Sequence, residues 1–167
     1  DLFAASIDYR KAGRIAAAWF LDKGLKDLAI AGSDWNTGIK NEIYEGWKDE
    51  LKSRNIPARP CLRIDKEGFS EEMAKLSSEL DGIFTFGSDF PALDSVLAKH
   101  KSNCRIMVDE NYYGAYGAIR KPDAKLIIFP PELLTQAAMA LFRTLSDSAS
   151  KPESILIAPS VKEESGT

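Results

Sequence analysis

The sequence predicts an α/β domain: an open, mostly parallel sheet with helices on both faces. Three observations carry this. Short apolar runs recur along the chain, at Leu28–Ala31, Gly82–Phe86, Arg105–Val108 and Lys125–Phe129. Amphipathic helical stretches lie between them, so strand and helix alternate about every 25–30 residues, the rhythm of parallel βαβ units. Each run is followed by a polar turn, and right-handed crossovers gather such turns on one rim of the sheet, where ligands of open α/β folds bind.

Taken in order, Ala4–Ile7 is a short extended run followed by Asp8. Ala12, Ile15, Ala16, Trp19 and Phe20 then recur at helical spacing, and Gly24 supplies the stop. After the strand Leu28–Ala31 comes a polar loop, Gly32 to Gly38, and a helix to about Arg54 that buries Ile39, Ile43, Trp47 and Leu51. Pro57 and Pro60 punctuate before a strand at Cys61–Ile64. Asp65–Phe69 is a loop, and Ser70 is the expected N-cap of a helix carrying Met73, Leu76 and Leu80. Gly82–Phe86, a turn with Ser88 and Asp89, a helix at about Phe90–Lys99 and the strand Arg105–Val108 form one strand–helix–strand unit ending in Asp109 and Glu110. Asn111–Asp123 has no clear period and reads as a surface loop. Lys125–Phe129 is stopped by Pro130-Pro131, and a helix from about Glu132 to Leu145 follows. Ile155–Ala158 is the last expected strand, and Glu163–Thr167 a polar tail.

At 167 residues the chain is one domain or a large piece of one. A net charge of -3 and 22 scattered basic residues give no basic face, so this piece by itself is not expected to bind DNA. Cys61 and Cys104 fall in strands without metal-ligand spacing and read as small buried hydrophobes. No apolar run approaches the roughly 20 residues of a membrane helix, and Asp1–Ile7 is not a signal peptide.

Four acids should stand at strand ends: Asp34, Asp65, Asp89 and Asp109. Acids there suit metal or phosphoryl-transfer chemistry, but they also cap helices, and no lysine accompanies them at a strand end. The sole histidine, His100, reads as a solvated helix-end residue, so no His-rich metal site and no Ser–His or Cys–His pair is available. Gly32-Ser33-Asp34 lacks the second glycine and the lysine of a phosphate loop. No catalytic residue, metal or cofactor is assigned. Polar recognition fits better, because a carboxylate accepts neighbouring hydroxyls and an aromatic ring covers an apolar ring face. Asp109, Asp89, Phe69, Trp35 and Asn36 are the candidate residues. The plain alternative makes Asp89 a helix cap and Phe69 a hydrophobic staple.

These residues resemble a known family, the effector-binding domains of LacI/GalR (lactose-repressor/galactose-repressor) transcription regulators. Asp8-Tyr9-Arg10-Lys11-Ala12-Gly13, with Ala16, Phe20 and Gly24, is similar to that family's D-x4-G helix opening. Gly46-Trp47 with Leu51 resembles its Gly-aromatic helix, and Asp81–Phe84 through Ser88-Asp89 with Ala92 a further family segment. Ile106–Glu110 is similar to its acidic strand end, and Ala158–Ser165 to its closing P-x-L-V-x-R-x-S.

The resemblance implies a periplasmic-binding-protein-like (type I) fold, of which residues 1–167 are the C-terminal lobe and about 130–146 border or return to an N-terminal lobe. It implies a small effector, a sugar or related polar metabolite, in an interlobe cleft. Operator DNA would be bound only through an N-terminal helix-turn-helix outside this chain, in a cytoplasmic homodimer that is not an enzyme. Asp109, Asp89, Phe69, Trp35, Asn36, Thr37 and Asp8 are the ligand-binding positions expected. Two positions depart: the family's arginine would fall at Ile43 and a later polar residue near Pro130, which makes the pocket less sugar-like. Asn36, Thr37 or Lys40 could substitute. A lobe of a solute-binding transport receptor, and an α/β enzyme using the strand-end acids, are the alternative readings.

Overall fold

Strands covered on both faces send alternate side chains into two separate cores, and that alternation organises the molecule. A computed structural model describes residues 4–35, 38–109, 121–129, 131–146 and 154–163. The elements are β1 (Ala4–Ile7), α1 (Tyr9–Asp22), β2 (Leu28–Gly32), α2 (Gly38–Ser53), β3 (Leu62–Arg63), α3 (Phe69–Leu76), β4 (Gly82–Thr85), α4 (Phe90–Lys99), β5 (Arg105–Asp109), β6 (Ala124–Ile127), α5 (Pro131–Ser146), β7 (Ser154–Ile157) and β8 (Ser160–Glu163). Six strands form one sheet in the order β3-β2-β4-β5-β6-β8, parallel except for β8. Leu28 and Ile30, Phe84 and Phe86, Met107 and Leu126 enter the core under α1 and α2. Ala29 and Ala31, Ile83, Ile106 and Val108 enter the core under α3 and α4. The open, mostly parallel sheet with helices on both faces is therefore present.

On the first face α1 and α2 meet backbone to backbone at two glycines. A Cβ on Gly13 would lie 1.8 Å from the Ile43 carbonyl oxygen, and one on Gly46 would lie 1.8 Å from that of Arg10. The Gly of the α1 opening and the Gly before Trp47 are thus the two halves of one contact. Backbones this close let Trp47 stack on Phe84 at 6.3 Å and meet Phe20 edge-on at 5.9 Å. At the edge of this crossing Asp49 accepts hydrogen bonds from Arg10 (2.7 Å) and Arg14 (2.9 Å).

Several expectations are corrected. Ala4–Ile7 and the last expected strand, for which the sequence names no partner, form a separate sheet: β1 and β7 pair with each other in parallel, from Ala4 opposite Ser154 to Ile7 opposite Ile157. The chain consequently passes between the two sheets three times: after β1, between β6 and α5, and between β7 and β8. At that junction the Asp8 amide donates to the Ile157 carbonyl at 3.1 Å, and the Tyr9 ring meets Phe129 edge-on at 6.5 Å. Between the last expected strand and the expected tail, and sharing only Glu163 with that tail, lies β8, antiparallel to β6 and held to α1 where Trp19 (2.9 Å) and Lys23 (2.7 Å) both bond Glu163. Its polar edge-strand sequence carries no alternation to announce it.

Helix α3 is capped by Gly68 at φ 85°, not by Ser70, since the turn needs a left-handed residue there. His100 is the C-cap of α4 and only half-exposed, its Nε2 shielded from solvent. Most of the surface loop read at 111–123 lies outside the described residues. Among the described residues no helix is long and apolar enough to cross a membrane.

Three predictions concern α1 and α2. Gly13→Ala or Gly46→Ala is expected to cost about 3 kcal/mol in denaturant unfolding, because backbone rather than a flexible side chain must move. Gly38→Ala meets nothing within 4 Å and is expected to stabilise by about 0.4–1 kcal/mol. The hydrogen bonds from Arg10 and then Arg14 hold the Asp49 carboxyl at about 2, below its ordinary 3.8. A carboxyl depressed on folding contributes stability above its unfolded value and loses it as pH falls toward the folded one. Asp49→Asn should therefore flatten the loss of stability measured between about pH 4 and 2.

Candidate functional site

The carboxyl ends of β2, β4 and β5 lie side by side, and their acids are occupied by the backbone of the neighbouring loop. The Asp109 carboxylate, at the end of β5, accepts from the Gly87 amide at 2.7 Å in the turn after β4. Asp89 closes that turn, its amide donating to the Phe86 carbonyl at 2.9 Å. Its own carboxylate reaches across to the loop after β2, accepting from the Ser33 amide (3.0 Å) and hydroxyl (2.5 Å). Asp89 is the N-cap of α4 by position, yet its side chain makes no cap bond. Its side chain joins two loops rather than capping α4.

A lysine does accompany these acids, from one turn inside α2. The Lys40 ammonium donates to the Ser33 carbonyl at 2.6 Å and to Asp89 at 3.2 Å, and lies 4.7 Å from the centre of the Phe86 ring. The side chains of Lys40 and Asp89 are 15% and 8% exposed, so this pair is far less screened than the surface ion pairs elsewhere on the chain. Lys40 is one of the three substitutes proposed for the family's arginine. Ile43, where that arginine would fall, is wholly buried at the α1–α2 crossing. Lys40 precedes it by three residues, on the same helix face.

The remaining candidates divide. Trp35 is at the rim, its indole N–H donating to the Gly32 carbonyl at 2.8 Å and its ring edge-on to Tyr44 and Phe86, each at 5.6 Å. Asp8 stands at the junction of the two sheets and caps α1 by accepting from the Lys11 amide at 2.8 Å. Phe69 is buried in the core beneath α3 and α4. Asp65 is held by both Nε and Nη2 of Arg63 (3.1 and 2.7 Å), and Arg63 lowers its pKa. Asn36 and Thr37 lie outside the described residues. Ser33 and Phe86 were not singled out from sequence as binding residues; the signal available was only their place just past two apolar strands. Burial pushes the Cys61 thiol up to about 12, so it is no nucleophile at neutral pH. Among the described residues no group of acids, cysteines or histidine is arranged to hold a metal ion.

No protein-family model and no curated protein sequence matches the chain. Solved structures do. A LacI-family transcription regulator from Clostridium acetobutylicum superposes with a TM-score of 0.67 at 18% identity, over 92% of this chain and 62% of that one. One from Enterococcus faecium with bound ribose gives 0.63 at 16%, over 96% and 63%. A periplasmic binding protein/LacI transcriptional regulator from Alkaliphilus metalliredigens, complexed with D-xylulofuranose, gives 0.65 at 15%, over 96% and 64%. The chain thus has the periplasmic-binding-protein-like fold. Within that fold, nearly all of its length matches LacI-family regulators, and it spans less than two-thirds of each of these three.

Asp89→Ala strands the Lys40 ammonium in its shielded position and is expected to cost about 3–5 kcal/mol. In a Lys40→Met background the same change should cost at least about 1 kcal/mol less, read from denaturant unfolding of the four proteins of the cycle.

Proposed function

We propose that the chain is the effector-sensing C-terminal lobe of a LacI-type transcriptional regulator. A small, sugar-like ligand binds between its rim and a second lobe. The observation that carries this reading is the threefold passage of the chain between the six-stranded sheet and the β1–β7 pair. Three crossings at the rim bearing Asp89, Asp109 and Trp35 make a hinge beside half of a cleft. Helix α5 and β7 support the second lobe. Phe142, Leu145, Met139 and Leu156 are 50–67% exposed, a larger apolar surface than a finished domain leaves in water.

Ligand in such a cleft favours the closed arrangement by its greater affinity for it, and a regulator converts that shift into a change in DNA binding. Operator contact then comes from a helix-turn-helix preceding this chain, in a cytoplasmic homodimer. Neighbours of the same fold are crystallised with ribose, D-xylulofuranose and cellobiose, which supports a sugar-like effector. Those neighbours are described as transcriptional regulators, which supports a regulatory rather than an enzymatic role.

Calorimetry tests this with ribose and cellobiose, against the 167 residues and against a longer chain carrying both lobes. The two-lobed chain is expected to bind one of these, at least tenfold weaker after Asp109→Asn, while the 167 residues alone bind neither measurably, because one lobe cannot desolvate the ligand. Tight sugar binding by the 167 residues alone would overturn the two-lobe reading.

A further inference from the structure

Ser33, just after β2, is held by side chains from two other parts of the chain. Asp34 has φ 50°, in the left-handed region that non-glycine residues seldom occupy and that persists only where the surroundings over-determine it. The residue before it supplies that determination. The Ser33 amide and hydroxyl both donate to Asp89, and its carbonyl accepts from Lys40, so its backbone is tied on both sides of the Cα. Behind it Gly32 accepts from the Trp35 indole, closing the loop on itself. A Cβ at Gly32 would come 2.8 Å from the Phe86 ring, so the loop also lies directly on the turn after β4.

That turn is tied in its own right. Asp109 holds the Gly87 amide, and the Asp89 and Phe90 amides both return to the Phe86 carbonyl. We infer that Asp109, the turn 86–89, Asp89, Ser33 and Lys40 form a serial relay, in which Lys40 and Ser33 are positioning residues that set the β2–α2 loop from the end of β5. Asp89 is 6% exposed and already accepts from three donors. Its part in the relay is transmission between the two loops. A perturbation at Asp109 is felt at the start of α2 because each link is a hydrogen bond into a buried or half-buried partner, where water cannot substitute. The use of this relay in effector sensing rests on the function proposed above, whereas its existence is tested without any ligand.

The experiment is residue-resolved amide hydrogen exchange on the whole chain for the wild type, Lys40→Met, Lys40→Arg and Asp109→Ala. In Lys40→Met, exchange at Ser33 should rise at least tenfold and at Gly87 at least threefold, each outpacing the rise at Met107 in β5. Lys40→Arg should restore rates to within threefold of wild type. Asp109→Ala should accelerate Ser33 as well as Gly87. Even acceleration across β4 and β5 in Lys40→Met would mean that Lys40 serves only global stability, and overturns the relay. So does acceleration in Asp109→Ala that stops at Gly87. Should Asp109→Ala fail to fold, the Lys40→Met pattern decides alone. Failure of ribose and cellobiose to bind would sink the functional reading and leave these rates unchanged.

Discussion

The structure depends on two helices meeting backbone to backbone at a pair of glycines. Gly13 and Gly46 face the carbonyls of Ile43 and Arg10 so closely that neither could carry a methyl group. This spacing sets how deeply Trp47 and Phe20 sink onto the sheet. It is matched at Gly82, where a Cβ would strike the Phe20 ring at 2.5 Å. An aromatic core this dense has few alternative packings. The same contact fixes α2 along its whole length, and with it Lys40 in the first turn, which is how a crossing in the core governs a site on the rim.

Acidic residues stitch the sheet at both ends by one device. At the amino end, Asp81 before β4 accepts from the Lys26 and Asp27 amides before β2 (2.8 and 3.0 Å), and those backbone donors lower its pKa. Asp123 before β6 likewise accepts from the Ile106 amide of β5 at 2.7 Å. At the carboxyl end Asp109 and Asp89 do the same for Gly87 and Ser33. A parallel sheet leaves amides unpaired where strands begin and end out of step, and a carboxylate on the neighbouring strand meets that need. What differs at the carboxyl end is Lys40: a half-buried cation among buried acids makes that rim a connected network rather than separate staples.

Much of the fold was legible because its signals are local. The runs at β2, β4 and β5 and the helical spacing of Ala12, Ala16 and Phe20 each lie within one element, and burial bears them out. The motif glycines were legible only as a resemblance; their reason, the Gly13–Gly46 contact, joins residues 33 positions apart. The pairing of β1 with β7 was not legible either, since two short apolar strands say nothing about which neighbour each will find. Strand β8 escaped because an exposed edge strand such as Ser-Val-Lys-Glu needs no apolar face.

For the site, the sequence by itself determined which residue types stand at the rim: Asp89 and Asp109 past the strand ends and Trp35 in the first loop. Chain order and strand length suffice for that. Only the tertiary structure decided what those groups do. Whether a carboxylate waits for a ligand or holds an amide depends on donors that arrive from other strands. Here Ser33 is 56 residues from Asp89, and Gly87 is 22 from Asp109. The missing arginine shows the same division. Sequence places Ile43 where that arginine would be, but the Gly13 crossing buries it, and the cation reaches the rim from Lys40 instead.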